Sequence, residues 1–359
     1  MYLKQLTLTQ YKNIDSKTFA FNPKINCFIG DNGIGKSNIL DAIYHLAFGK
    51  SYFNPIAVQN IQIGTDFFVL DGRFQGKDRE EKIVCSLKKG QKKVLKRNGK
   101  IYDKLADHIG LIPTVIISPA DRDLISEGSS IRRKFMDGVI GQTDTAYLQN
   151  LIEYNKILSQ RNALLKFFAL NRSFDSDTLA VYNQQLTQRS APIFEKRKSF
   201  MQSFIPVFDA HYQNISDKKE MVSLDYKSQL YEHSHQELLE NSLAKDKVLH
   251  HTSTGIHKDD ISFLLDGQPI KKFGSQGQQK TFLVALKLAQ FDFLKKLTGG
   301  APILLLDDAF DKLDQKRVTQ IISLVDQNDF GQIFITDTHE ERTLKALGDS
   351  QSNYEIFKL

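Results

Sequence analysis

Two cysteines are all that 359 residues contain. That is too few for the bridges that staple small secreted folds, and both, Cys27 and Cys85, sit among strand-like apolar residues. The N-terminus lacks the basic, then apolar, then small-residue order of a secretion signal, so the expected compartment is a reducing cytoplasm. No apolar run approaches the roughly 20 residues that cross a bilayer. Runs such as Ile303–Leu306 and Thr114–Ile117 are only short segments, and no membrane span is expected. There is no repeat at solenoid periods and no low-complexity tract. With 41% hydrophobic residues, the chain can build the core of one large or two ordinary domains, which excludes a disordered tail.

Acidic residues are missing from one stretch. Lys82 to Lys100 holds eight basic residues (Lys82, Lys88, Lys89, Lys92, Lys93, Lys96, Arg97 and Lys100) and no acidic one. This local excess is larger than the chain's net charge of +6, so the remainder is slightly acidic. Such a run is either a solvated face or a contact for a polyanion, and charge alone does not choose between them.

The pattern of apolar residues divides the chain. Tyr2 to Leu8 alternates as a strand, Tyr11-Lys12-Asn13-Ile14 turns, and Ile25 to Ile29 is a short buried run ending at a glycine. From Lys36 to Phe48 the apolar residues Ile39, Leu40, Ile43, Leu46 and Ala47 recur at helical spacing. Between Phe67 and Tyr102 the period becomes two, with turns at Gln75-Gly76-Lys77-Asp78, Lys89-Gly90-Gln91 and Asn98-Gly99, which predicts an antiparallel meander. Arg132 to Phe208 is helical, with a polar break at Asn171–Asp177 that predicts an antiparallel helical hairpin of two arms of about 27 residues, each roughly 40 Å long. After a turn at Asp266-Gly267-Gln268-Pro269, a helix over Gln278–Leu297, a strand at Ile303–Leu306, a further helix and a strand at Gln332–Thr336 predict a mostly parallel sheet.

Chemistry concentrates in three places. Gly30-Asp31-Asn32-Gly33-Ile34-Gly35-Lys36-Ser37 satisfies G-x-x-x-x-G-K-[ST] between a strand and a helix, the context that makes the pattern specific. Its glycines let successive N–H groups face phosphates at a helix N-terminus, with Asn38 completing the loop's run into the helix. Lys36 would neutralise the β and γ phosphates of ATP and Ser37 would hold Mg²⁺. A second Gly-Lys-Ser, Gly49-Lys50-Ser51, lies at a helix end with Tyr44 in place of the first glycine, and has no loop to cradle anything. Ile303-Leu304-Leu305-Leu306-Asp307-Asp308 reads as a Walker B strand, with Asp307 beside Mg²⁺ and Asp308 as the base that polarises the attacking water. Gly274-Ser275-Gln276-Gly277-Gln278-Gln279 precedes a helix about 30 residues ahead of Walker B. Alone it is a Gly/Ser loop with an N-cap. In that position it matches the signature loop by which one ABC-type protomer contacts the γ-phosphate held by another. Leu313-Asp314 resembles a D-loop. The order of these elements predicts an ABC-type head that ATP closes into a dimer.

Several stretches resemble the RecF family of bacterial repair proteins, which are similar to small SMC-type heads with a short helical arm. They are the P-loop itself; Ile117-Ser118-Pro119-Ala120-Asp121 with Leu124-Ile125, Gly128, Arg132-Arg133 and Asp137; Gly255-Ile256-His257-Lys258-Asp259-Asp260; and Gly274-Ser275-Gln276-Gly277-Gln278-Gln279-Lys280. Here Ile256 stands where the family has Pro, and Lys258 and Lys280 where it has Arg, which keeps charge but loses the planar fork. The resemblance implies an α/β fold, a P-loop ABC/SMC-type ATPase head with an antiparallel β meander and an inserted helical hairpin arm. Its head would comprise residues 1–125 and 246–359, and its arm residues 126–245. It also implies binding to gapped or single-strand/double-strand junction DNA in recombinational repair and replication. An ATP-dependent homodimer, slow hydrolysis and cooperation with RecO and RecR in loading RecA complete the expectation. On this basis Lys88, Lys89, Lys92, Lys93, Lys96 and Arg97 become contacts to the DNA backbone, and Ser275, Gln276, Gly277 and Gln278 act in trans.

Other residues are open between two readings. Lys12 and Asn13 are either nucleotide contacts, as in SMC-type heads, or a simple turn. His257 is a structural contact or a catalytic group. A switch residue after the last strand would be His339, Thr336 or Asp337. Arg132, Arg133 and Lys134 are a solvated face or a binding surface. Of rival functions, a transporter's ATP-binding subunit would need neither the hairpin nor the basic meander. An SMC-like defence nuclease would need a further metal-binding domain, and a P-loop kinase would lack the signature loop.

Overall fold

The computed structural model describes residues 1–76, 78–216, 220–308, 331–347 and 353–359. The chain divides into two compact units: Met1–Arg122 with Lys280–Leu359, and Asp123–Gln279.

The first unit starts with strands β1 (Tyr2–Tyr11), β2 (Ile14–Ala20) and β3 (Ile25–Ile29), then the P-loop helix Lys36–Phe48. Strands β4 (Phe67–Gln75), β5 (Glu80–Lys88), β6 (Val94–Arg97) and β7 (Lys100–Ile101) follow, then β8 (Thr114–Ile117). Strands β1, β2 and β4 to β7 form a six-stranded antiparallel sheet in the order β2-β1-β4-β5-β6-β7, the meander expected from the period-two pattern plus two N-terminal strands. Strand β2 has no counterpart in the sequence pattern. Its residues are almost all at the surface, so it carries no apolar alternation.

The second unit holds the helices Ser129–Gly141, Thr145–Asn171 and Ser176–Ile215, and strands β9 (Val222–Lys227), β10 (Asp260–Leu265) and β11 (Gln268–Pro269), paired in the order β11-β10-β9. The expected hairpin is present, since Arg161 meets Asn183 and Arg189 meets Asn150, as antiparallel neighbours must. Asp175 caps the second arm by accepting from Asp177 N and Thr178 N. That arm has 40 residues, longer than the expected 27, and continues to Ile215 with Pro192 and Pro206 inside it. Leu165, Phe168 and Leu179 pack together near the hairpin's turn.

The signature helix, Gln276–Thr298, leads back into the first unit, followed by β12 (Ile303–Leu306), β13 (Ile333–Asp337), the helix Glu340–Leu347 and β14 (Tyr354–Lys358). These strands join β3 and β8 in a five-stranded sheet ordered β14-β3-β13-β12-β8, parallel in every pair. Ile303 to Leu306 and Ile333 to Asp337 are wholly buried, as central parallel strands are. The edge strand β14 is largely exposed, and its residues carry no period that would mark it.

The P-loop helix lies inside the first unit's core. Ile39, Leu40, Ile43 and Leu46 pack among Leu6, Leu8, Phe68, Leu70 and Ile83 of the antiparallel sheet and Phe28, Ile116, Leu305 and Phe334 of the parallel one. Sheet and helix approach so closely at Gly72 that a Cβ there would lie 2.6 Å from Leu46 Cδ1. Gln332 ties the two sheets. Its side chain accepts from Leu3 N at 2.7 Å and donates to Leu3 O and Asn22 O, both at 2.8 Å. An amide buried in this way is tolerable because its bonds are made.

Candidate nucleotide site

Parallel strands end on the same edge of a sheet, which is where α/β folds collect their chemistry. Strand β3 runs into Gly30, β12 into Asp307-Asp308, and β13 ends at Thr336-Asp337. In the loop, Gly33 and Gly35 have φ of 83° and 115°, left-handed conformations that side-chain-bearing residues resist. Gly35 is the N-cap of the P-loop helix, whose first turn carries no acidic residue, so its partial positive charge is uncompensated. Lys36 is buried, its ammonium donating to the carbonyls of Gly30 at 2.7 Å and Asp31 at 2.9 Å.

Ser37 and Asp307, far apart in sequence, meet here. Ser37 Oγ donates to Asp307 Oδ1 at 2.7 Å. Thr336 Oγ1 donates to the same oxygen at 2.9 Å and accepts from Asp308 N at 2.9 Å. Burial raises the pKa of Asp307 above the ordinary carboxylate value, against the hydrogen bonds from Ser37 and Thr336. A hydroxyl and a carboxylate side by side at a phosphate loop are the hard oxygen donors that Mg²⁺ takes when phosphates and water complete its shell, so these residues fit that ion. Asp308, next along, has φ of 48°. Of the three candidates at or beyond the end of β13, Thr336 is the one bonded to the Walker B carboxylate. Asp337 is held by Arg342 and Thr343, and His339 is exposed.

A polar seam backs the P-loop helix. Its Asp41, fully buried, accepts from Tyr11 Oη at 2.9 Å, Ser51 Oγ at 2.6 Å and Tyr52 N at 2.6 Å, and pairs with Lys12 Nζ at 2.6 Å. Ser51 of the second Gly-Lys-Ser is therefore structural. Tyr52 Oη donates to Asp121 at 2.6 Å, and Asp121 pairs with Lys287 at 2.6 Å, both ions being buried. Burial and the Asp121 charge drive the Tyr52 phenol well above its usual pKa. The role of Asp121 and Lys287 can be read from neither position alone, because partners so far apart in the chain share no pattern.

In the second unit, the signature helix starts with a reciprocal cap. Ser275 Oγ accepts from Gln278 N at 3.2 Å, and Gln278 Oε1 accepts from Ser275 N at 2.6 Å. The Gln278 amide also donates to Glu220 at 2.8 Å. Ser275, Gln276 and Gly277 lie at the surface. The D-loop-like Leu313-Asp314 lies outside the described residues.

The family described as RecF/RecN/SMC N terminal domain matches residues 2–358. A Flavobacterium johnsoniae protein called DNA replication and repair protein RecF is 61% identical over 359 residues, covering 100% of both chains. A Bacteroides fragilis protein of the same name is 48% identical, over 100% of this chain and 96% of its own. The chain belongs to the RecF family. A solved structure titled recombination mediator protein RecF-ATP in RecFOR pathway superposes with a TM-score of 0.88 at 30% identity, covering 94% of this chain and 92% of that one. An Smc head bound to a winged-helix domain of ScpA shares the fold, with a TM-score of 0.57 at 15% identity. The fold is thus an ABC/SMC-type ATPase head.

Within the basic run, Arg97 makes a bidentate pair with Glu81 at 2.8 Å and holds that carboxyl down at about 2. Lys93 donates to Gly49 O, the C-cap of the P-loop helix. Lys88, Lys89 and Lys92 are exposed around the β5–β6 turn, with Lys89 3.7 Å from Asp66, and Lys96 is half-buried. The run is thus split between residues that hold the sheet and residues that face outward.

The Gly255–Asp260 stretch is braced from several sides. Arg132 pairs bidentately with Asp260 at 2.7 and 3.0 Å, and Arg133 donates to Asp259 O at 2.5 Å. Arg197, fully enclosed, reaches Ile256 O, Asp259 and Asp137. Arg132 and Arg133 are therefore internal braces, whereas Lys134 beside them is exposed. His257 Nδ1 lies 2.8 Å from Tyr154 Oη and Nε2 3.1 Å from Thr252 O, and burial lowers its pKa to about 4. That is a structural contact.

Proposed function

We propose that this RecF-family chain is an ATP-switched DNA-binding protein of recombinational repair and replication. The observation that carries the reading is the meeting of Ser37 and Asp307 at a loop whose Gly33 and Gly35 conformations suit phosphate. Gly30 to Asn38 cradle the nucleotide, and Lys36 moves its ammonium from the loop carbonyls to the β and γ phosphates. Ser37 and Asp307 hold Mg²⁺, which offsets charge on the phosphate oxygens. Asp308 orients the attacking water as general base. The exposed helix start at Ser275–Gln278 acts in trans on the γ-phosphate of a second copy, so ATP brings two chains together. Aspartate is one methylene shorter than the glutamate usual in transporter heads, which suits slow turnover in a clamp.

The head comprises residues 1–125 and 246–359, and the inserted arm residues 126–245. The outward lysines contact DNA phosphates at gaps or single-strand/double-strand junctions. RecO and RecR are the implied partners in loading RecA, supported by the pathway named for the solved relative, and the cytoplasm is the implied compartment. Fluorescence anisotropy of labelled gapped DNA, with and without ATP and Mg²⁺ over a salt series, tests this. Affinity should rise with ATP, fall with salt and ignore base sequence. Binding that is indifferent to nucleotide would reject the switch.

A further inference from the structure

We propose that Asn13 is a positioning residue for the phosphate loop, acting on the loop's backbone and not on the nucleotide. This rests on the nucleotide-binding reading of that loop.

Asn13 joins two parts of the loop that no helix or sheet ladder connects. Its Nδ2 donates to Gly33 O at 3.2 Å, and its Oδ1 accepts from Asn38 Nδ2 at 2.7 Å. The chain of bonds thus runs from the first turn of the P-loop helix, through Asn13, to the loop's middle glycine. Asn13 also fills the space beside Gly35, where a Cβ would lie 2.9 Å from Asn13 Oδ1. Loop glycines are the most expensive residues to order, and holding them beforehand favours the bound form.

The turn that presents Asn13 is itself anchored at some conformational cost. Tyr11 pairs with Ile14, leaving Lys12 and Asn13 as a two-residue connection. Lys12 has φ of 55°, where hairpins usually place glycine. Gln10 is left-handed too, at 51°. A lysine in that place is explained by what its side chain reaches. Lys12 Nζ pairs with Asp41 on the P-loop helix at 2.6 Å, and Lys12 N donates to Asn60 O at 2.9 Å. Strain retained where surrounding bonds over-determine it is a mark of a functional turn. Glycine at position 12 would relax the backbone and lose the anchor. The turn is thereby fixed to the same helix whose N-terminus the loop enters, so Asn13 cannot drift relative to Gly33.

A group that holds Gly33 and Gly35 should matter equally to every nucleotide with a β-phosphate. A group that touches the γ-phosphate should matter to ATP alone. Calorimetric titration with Mg²⁺-ATP and Mg²⁺-ADP separates them. Asn13→Ala should weaken both by about tenfold, the worth of one or two ordinary hydrogen bonds. Its melting temperature without nucleotide should match wild type, because Asn13 is at the surface. Asn38→Ala should weaken binding less, and adding it to Asn13→Ala should cost nothing further, since both act through one chain of bonds. Loss of ATP affinity with ADP unchanged, fully additive effects, or a lower melting temperature with both affinities intact would each overturn the proposal. Wild-type protein that binds neither nucleotide, or Lys36→Ala that binds both normally, would overturn the nucleotide reading and this proposal with it.

Discussion

At the scale of single residues, charge has a meaning only through its partner. Lys36 is bonded to the loop's own carbonyls, and its replacement removes both those bonds and the cation for the phosphates. Lys36→Ala should fold, because Ile39, Leu40, Ile43 and Leu46 hold the helix in the core without it, and should lose tight ATP binding in a titration. Unchanged affinity would refute the P-loop assignment. The basic run calls for a split outcome. Replacing Lys88, Lys89 and Lys92 together should lower the slope of log affinity for DNA against log salt by about 0.7 to 0.9 for each phosphate that is no longer neutralised. Arg97→Ala should leave that slope alone and destabilise the sheet, because Glu81, only 5% exposed, is deprived of its bidentate partner. Equal slopes for all these variants would return the whole run to a solvated face. In sequence these residues look alike. Nothing local distinguishes an arginine that bonds Glu81, on the neighbouring strand, from a lysine that faces water.

At the scale of elements, what can be read from the sequence is what has a period or a fixed loop. The P-loop and its helix, the meander, the hairpin and the buried Walker B strand all announce themselves through glycine spacing or apolar repeats. Strands β2 and β14 do not, since edge strands exposed on both faces have no buried side to impose the alternation on which the reading depends. The second hairpin helix reads too short because the last apolar residue at helical spacing in the sequence pattern is near Phe208, whereas the helix runs on to Ile215, where Tyr212 is buried. The seam through Asp41, Tyr52, Asp121 and Lys287 is invisible for a different reason: it is made by tertiary contact alone. Its energetics are nonetheless specific. Lys287→Met would leave Asp121 buried with Tyr52 and the Ser118 amide but without its cation, and uncompensated buried charge typically costs about 3–5 kcal/mol. Urea unfolding should show a lowered midpoint and an unfolding free energy reduced by that order for Lys287→Met, with partial recovery when Asp121→Asn is added. A midpoint equal to wild type would mean the pair contributes nothing.

At the scale of the whole molecule, the proposal is that a nucleotide held by one chain is completed by the signature loop of another. The reciprocal cap between Ser275 and Gln278 sets that helix start without using up its exposed face, and Ser275 and Gly277 remain at the surface. Ser275→Arg should bind ATP as a single chain yet fail to dimerise, and Lys36→Ala should fail for want of ATP. A mixed dimer of the two contains one composite site that carries both substitutions and one that carries neither. Sedimentation velocity of the equimolar mixture with ATP and Mg²⁺ therefore decides the matter. A dimer boundary should form in the mixture that neither variant forms alone. A mixture that stays monomeric while wild type dimerises, or Ser275→Arg protein that dimerises with ATP by itself, would contradict the shared site.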